Sequence, residues 1–444
     1  MSLELAGDDL RRAAWHLSLC GRCRQSLRQV APAGLELLRV LTRGAKLADT
    51  GDEPDYAGAF AAAKGAAVTR ARHLAEERRT APELAAELMK LPRRRRRGRI
   101  AADPRLRSLP LADRLLAESR RWWNDDNRLA EELGHLALAV AERLADGWPA
   151  GERALLEDVR AEAWATIGTA RRLASDLRGA DEAFTTAGAC LRRGSADPLI
   201  RASVLTQLSS LRRAQRRFEE ADRLLSRVVV LYRRAGDSHL EGKALLARAV
   251  LQSYRGEAAE AIPTLERAAR LIDPQREPRL LMVAKHNLAS FLVEAGRAAE
   301  ALPLLPEVRE LTRRYGKRLD PLVVDWLEGT LAAELGRHAE AEAKLRAARD
   351  AFVDEGIGYN AALISLDLAA LYLQTGRSDE VRRLAAEMLP IFESRDVHRE
   401  AVAALVLFQK AAAAEGATTA MVRDFAAYLR KARDNPKLRY ERPS

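Results

Sequence analysis

The chain has 444 residues, 48% hydrophobic and only 5% aromatic, with 74 Lys+Arg against 63 Asp+Glu and three cysteines. Its vocabulary of Ala, Leu, Arg and Glu is that of helices, and it excludes a sandwich or barrel, which draws on Val, Ile, Thr and aromatic runs. No apolar stretch reaches the roughly 18 residues that a bilayer requires, and three cysteines cannot form a disulfide framework. The first ten residues include Glu4, Asp8 and Asp9 and lack the basic start of a secretory signal. The composition therefore predicts an all-α protein of the reducing cytoplasm with no membrane partner.

The positive charge sits at the front. Residues 1–110 hold 22 Lys+Arg against 13 Asp+Glu, whereas the remainder holds 52 against 50. Any acidic partner is expected to meet this first quarter. Residues 1–100 read as a separate basic head of short helices near 7–30, 33–48, 55–79 and 81–91. Within it stand His16, Cys20 and Cys23, an imidazole and two thiols of the kind that ligate zinc. On one straight helix, His16 and Cys23 would lie about 10 Å apart along the axis, so a shared ion requires a break near Cys20. The other reading packs Cys20 on an ordinary helix face as a small hydrophobe. No cofactor is expected, with zinc as the alternative. This H-x3-C-x2-C string resembles the zinc-binding anti-sigma domain, and the resemblance implies a sigma factor as partner. It departs from that family because residues 1–15 contain neither His nor Cys.

After Pro92 come Arg93, Arg94, Arg95, Arg96, Arg97 and Arg99. Such a run reads as a solvated linker or, alternatively, as a phosphate-tracking nucleic-acid contact. No aromatic is interleaved to stack bases. A capping helix pair over 105–150 follows, as Leu109–Trp123 and Arg128–Leu144.

From 151 to 432 a motif repeats. Gly256–Glu257–Ala258–Ala259–Glu260–Ala261 recurs from Gly296, Gly336 and Gly376 at a spacing of 40, with Arg216–Ala221 earlier and Arg178–Ala183 before that. Each copy reads as a helix end, a tight turn and a new helix, with Gly taking the left-handed conformation. A Leu follows the anchor Ala by four residues at 225, 265, 305 and 345. A small residue precedes the turn by seven at Ser209, Ala249, Ala289, Gly329 and Ala369. About seven helix pairs result, ending in a basic tail over 433–444. Start signals are expected at Asp197–Pro198 and Asp320–Pro321, and from Ser238 with Glu241 as a capping box.

Paired helices with a Gly turn and small residues at the crossing resemble the tetratricopeptide repeat, with a period of 40 rather than about 34. The resemblance implies an α-solenoid whose first helices line a concave groove. It places Arg213, Lys243, Tyr254, His286, Ser290, Trp326 and Thr330 on that lining, with Glu294, Glu334 and Gln374. The first seven form the candidate protein- or peptide-binding site, and Trp326 filling a helix contact is the competing reading. Cys190 reads as packing. No phosphate loop, metalloprotease motif or nucleophile elbow occurs, so no catalytic residues are expected. The expected function is a non-catalytic scaffold that holds a regulatory protein or peptide, in bacterial-type transcriptional or stress signalling. The alternative is a nucleic-acid-binding regulator.

Overall fold

The computed structural model describes residues 57–123, 125–146, 153–393, 408–409, 412 and 417–432. His16, Cys20, Cys23, the helices anticipated at 7–30 and 33–48, and the tail 433–444 lie outside them. Every described element is helical, and no strand occurs among the described residues. The chain divides into two compact units, the first ending at Glu241.

In the first unit, α1 (Ala57–Lys90) and α2 (Arg93–Ala102) precede three pairs. These are α3 (Leu109–Trp122) with α4 (Asn127–Ala145), α5 (Arg153–Leu173) with α6 (Leu177–Arg193), and α7 (Pro198–Ala214) with α8 (Phe218–Arg234). Helix α9 (Ser238–Tyr254) crosses the boundary in sequence. The second unit continues with α10 (Ala258–Leu271), α11 (Pro278–Glu294), the short α12 (Ala298–Ala301) and α13 (Leu305–Tyr315). It ends with α14 (Asp320–Glu334), α15 (His338–Asp354), α16 (Gly358–Gln374), α17 (Ser378–Glu393) and α18 (Thr419–Ala432). The architecture is that of tetratricopeptide-like helical repeats. Within each unit the partners of a pair pack together, and first helices of consecutive pairs also touch: α5 with α7, α11 with α14, and α14 with α16.

The turn chemistry follows the repeat. Gly256, Gly296, Gly336 and Gly376 have φ of +85°, +71°, +73° and +72°, a region that side chains with a β-carbon enter at a cost. Arg216 holds the same conformation at +59°, and so does Ser175 at +64°. Ser175 corrects the phase of the earliest copy. The turn lies three residues before the position suggested by Arg178–Ala183, so Ala180, fully buried, is the anchor. Gly168 then falls seven residues before the turn, and Phe184 takes the place of the repeated Leu. A β-carbon at Gly168 would lie 2.8 Å from Phe184 Cε2, as one at Gly329 would lie 2.8 Å from Leu345 Cδ2. The two crossings are equivalent, and the recurrence is 41 residues and then 40 four times over.

Other expectations shift for local reasons. The two helices anticipated at 55–79 and 81–91 are replaced by the single helix α1, Ala57–Lys90, with Pro82 inside it; the Thr80 hydroxyl bonds back to the Glu76 and Glu77 carbonyls at 3.1 and 3.2 Å just before the proline. The arginine run is helix α2 rather than a linker, anchored by the fully buried Ile100 in a core with Leu88, Leu111, Leu115 and Leu133. Prolines 303 and 306 divide the anticipated Ala299–Arg313 helix, with a 3₁₀ turn over Leu302–Leu304. Asp197 caps α7 as expected, accepting from Leu199 N at 2.7 Å. Asp237, not Ser238, caps α9, accepting from Leu240 N at 3.0 Å, and Glu241 instead pairs with Arg233. Asp320 lies inside α14 and accepts from Lys317 N at 2.7 Å. Cys190 is buried beside Phe184 and Leu211, and burial pushes its thiol pKa up, as a packed side chain requires.

Candidate functional site

The second unit places most of the anticipated lining on three first helices. His286 and Ser290 stand on α11, Trp326 and Thr330 on α14, all half-buried. Trp326 serves two roles. Its ring packs edge-on against Phe352 with centroids 6.5 Å apart, and its indole N–H donates to Asp367 Oδ2 at 2.7 Å. Because Asp367 is on α16, this bond ties one first helix to the next. The ring is thus partly a core filler, as the competing reading held, while its polar edge remains in the row.

Charge in this row is unevenly compensated. Burial pushes the Asp367 carboxyl upward, and Arg430 of α18, 3.8 Å from Oδ1, pulls the other way together with the indole bond. Glu294 at the end of α11 keeps access to solvent, yet desolvation raises it; Arg430 again opposes and Asp367 adds to the rise. Two carboxylates therefore share one guanidinium. Burial drives the His286 imidazole down to about 4, against the pull of Asp320. Asp320 is itself held low by the Arg279 guanidinium, with which it forms a salt bridge, and by the Lys317 amide, despite desolvation. Glu334 and Gln374 are exposed at the ends of α14 and α16.

The remaining lining residues are more dispersed. Lys243 binds both Glu277 carboxylate oxygens at 2.9 Å, so its ammonium is already engaged. Tyr254 is half-buried at the end of α9. The Thr330 hydroxyl donates to Leu327 O of its own helix at 2.9 Å. Arg213, on α7, belongs to the other compact unit.

The arginines of α2 are largely committed to the protein. Arg96 is buried, donating to Met89 O and Leu91 O at 2.9 Å and to Glu132 Oε1 at 2.8 Å. Arg93 pairs with Glu132, Arg97 with Glu142 and Arg99 with Asp103. Arg94 and Arg95 are exposed. Among the described residues, no three His, Cys, Asp or Glu side chains converge on a metal position, and no helix is long and apolar enough to cross a membrane.

Asp367 and Arg430 escaped the sequence reading. Asp367 precedes its turn by nine residues, a place held by Ala247 and Leu327 but also by Gln207 and Asn287, so the repeat alone does not assign it to core or site. Gln207, its counterpart on α7, accepts from Thr169 of α5 at 3.0 Å. Arg430 lies beyond the clear copies and carried no signal.

No protein-family model matches the chain, and no curated protein matches its sequence. Solved structures do resemble it. A Rap protein complexed with competence and sporulation factor shares 12% identity at a TM-score of 0.52, covering 73% of this chain and 87% of that one. A signal transduction ATPase with numerous domains from Pyrococcus horikoshii, with a tetratricopeptide repeat sensor, shares 13% at 0.50. That match covers 81% of this chain and 53% of the ATPase. Aspartyl phosphate phosphatase F from Bacillus subtilis aligns at 12% identity and 0.45, covering 88% and 96%. The first two share the helical-repeat fold with this chain.

Proposed function

We propose that the chain is a non-catalytic regulatory scaffold that captures a protein or peptide on the first-helix row of its second unit. The observation that carries this reading is Trp326: a half-buried aromatic whose N–H meets Asp367 on the neighbouring helix, in a row with His286, Ser290, Thr330 and Glu294. An aromatic fixed by core contacts but open along one edge buries partner surface at little entropic cost. Fold likeness to a Rap protein solved with competence and sporulation factor, and to an ATPase with a repeat sensor, supports a partner of the signalling kind. A sigma factor or another regulator of transcription or stress is the class we favour. The two raised carboxylates suit a segment that brings a positive charge to Glu294.

The test is partner capture by His286→Ala, Trp326→Ala and Tyr254→Ala variants of the full chain. Capture falls by tenfold or more while the helical circular dichroism is retained. Loss of helicity in parallel with capture would instead assign these side chains to the core alone. The nucleic-acid reading is less well supported, since four of the six arginines it needs are held by carboxylates.

A further inference from the structure

We infer that α18 is a built-in occupant of the first-helix row in the second unit, a strap that a partner's amphipathic helix displaces when it brings its own guanidinium or ammonium group. The helix packs on α16. Its Val422, Phe425, Ala426 and Leu429 follow the i, i+3, i+4, i+7 spacing of one helix face and are buried in a core shared with α16. Beside this seat the Tyr359 hydroxyl of α16 donates to Leu429 O at 2.8 Å. The next residue, Arg430, reaches the row itself. Its guanidinium stands 3.8 Å from Asp367 Oδ1, and its charge is felt by Glu294 of α11. Asp367 also accepts the indole N–H of Trp326 on α14. The end of α18 thus meets the polar groups of the proposed binding surface.

An apolar seat alone would make α18 the fixed end of the helical stack. The polar contact points instead to a replaceable occupant. At 3.8 Å the Arg430–Asp367 pair is too long for a hydrogen bond. The guanidinium stays 43% exposed, while the carboxylate keeps only 19%. Asp367 is therefore largely withdrawn from water, answered by one neutral N–H and one distant cation, with the charge of Glu334 working against it. A carboxylate compensated so loosely costs stability, which a directly hydrogen-bonded cation recovers. The strap itself shows what fits: a helix with four apolar anchors and a basic residue directly after the last.

This inference rests on the capture reading of the row, yet its test needs no native partner. A fluorescein-labelled peptide of residues 417–432 is the probe, and its binding to the full chain is read by fluorescence anisotropy. Arg430→Glu and Leu429→Ala loosen the strap but leave its seat on α16 unchanged. Each should bind the peptide saturably and at least tenfold more tightly than wild type, with circular dichroism retained. Arg430 is partly exposed, so its variant decides the matter if Leu429→Ala loses helicity. A peptide carrying Arg430→Glu should bind both variants at least tenfold more weakly. In the wild-type chain, amides of α18 should exchange hydrogen at least tenfold faster than those of α14 and α16. No saturable binding to Arg430→Glu, equal affinity for wild type, indifference to the arginine of the peptide, or exchange of α18 in step with α16 would each overturn the inference. Failure of the capture reading looks different: peptide exchange would stand, while the alanine variants at 254, 286 and 326 would capture partner as wild type does.

Discussion

Gly168→Ala offers a sharp test of the repeat phase. The new β-carbon would stand 2.8 and 2.9 Å from Phe184 Cε2 and Cδ2 and 3.3 Å from Ala180 O. Phe184 is only 4% exposed, so its ring has no solvent into which to swing. Overpacking of this kind costs about 1–3 kcal/mol, and replacing glycine in a helix interior returns about 1 kcal/mol. A net loss of up to about 2 kcal/mol follows. Phe184→Leu alone removes buried volume and costs about 1 kcal/mol. Together the two changes recreate the Ala/Leu crossings at Ala249/Leu265 and Ala289/Leu305, so the clash is relieved. The double variant should then be more stable than the sum of the singles predicts, by about 1 kcal/mol or more. Urea unfolding followed by circular dichroism measures this cycle, and hydrogen exchange locates the loss in α5 and α6. Additivity within about 0.5 kcal/mol, the behaviour of independent sites, would refute the equivalence of these crossings.

Arg216→Gly should leave stability unchanged or raise it by up to about 1 kcal/mol in a urea melt, since relief of the left-handed backbone outweighs the loss of the cation–π contact with Phe218 at 5.2 Å. Arg96→Met leaves Glu132 with Arg93 alone and removes the donors to Met89 O and Leu91 O, and should cost about 1–3 kcal/mol by the same method, whereas Arg94→Gln and Arg95→Gln should stay within about 0.5 kcal/mol of wild type. The His286 value of about 4 lies below the ordinary imidazole, so its contribution is complete above pH 6.5 and is lost as pH falls toward 4. Glu294 and Asp367, being raised, act in the opposite sense and gain stability as pH falls through their folded values. His286→Gln should therefore flatten the decline in melting temperature between pH 6.5 and 4, by the equivalent of about 1–3 kcal/mol. Elemental analysis should find less than one zinc per chain, equal in wild type and Cys20→Ser/Cys23→Ser; stoichiometric metal that disappears in the double variant would establish a zinc site.

The repeat was legible because its punctuation is physical. Glycine at 256, 296, 336 and 376 marks a conformation that other residues avoid, and small residues seven positions earlier mark a close crossing. The earliest copy was misplaced by three residues because Ser175 accepts the left-handed backbone without being glycine, and because Phe184 stands in for leucine. Charge alone could not distinguish the roles of the arginines. Arg96 and Arg94 look alike in sequence, but Glu132, 36 residues from Arg96, selects the first. Helix and linker could not be separated over 93–102 for the same reason: Ile100 was the lone apolar anchor in a run of charge. In the candidate site, Trp326 was visible as an aromatic in a lining position. Its partner Asp367 was not, because the bond crosses from one repeat to the next and only packing brings the two side chains together.

The most direct measurement places a photo-reactive amino acid, one substitution at a time, along the second unit and reads where a native partner is trapped. Ser290 and Thr330, on the first helices, should crosslink to it, and Glu300, exposed on α12, should not. Trapping from Glu300 with none from Ser290 or Thr330 would contradict the assignment of the first-helix row as the binding surface.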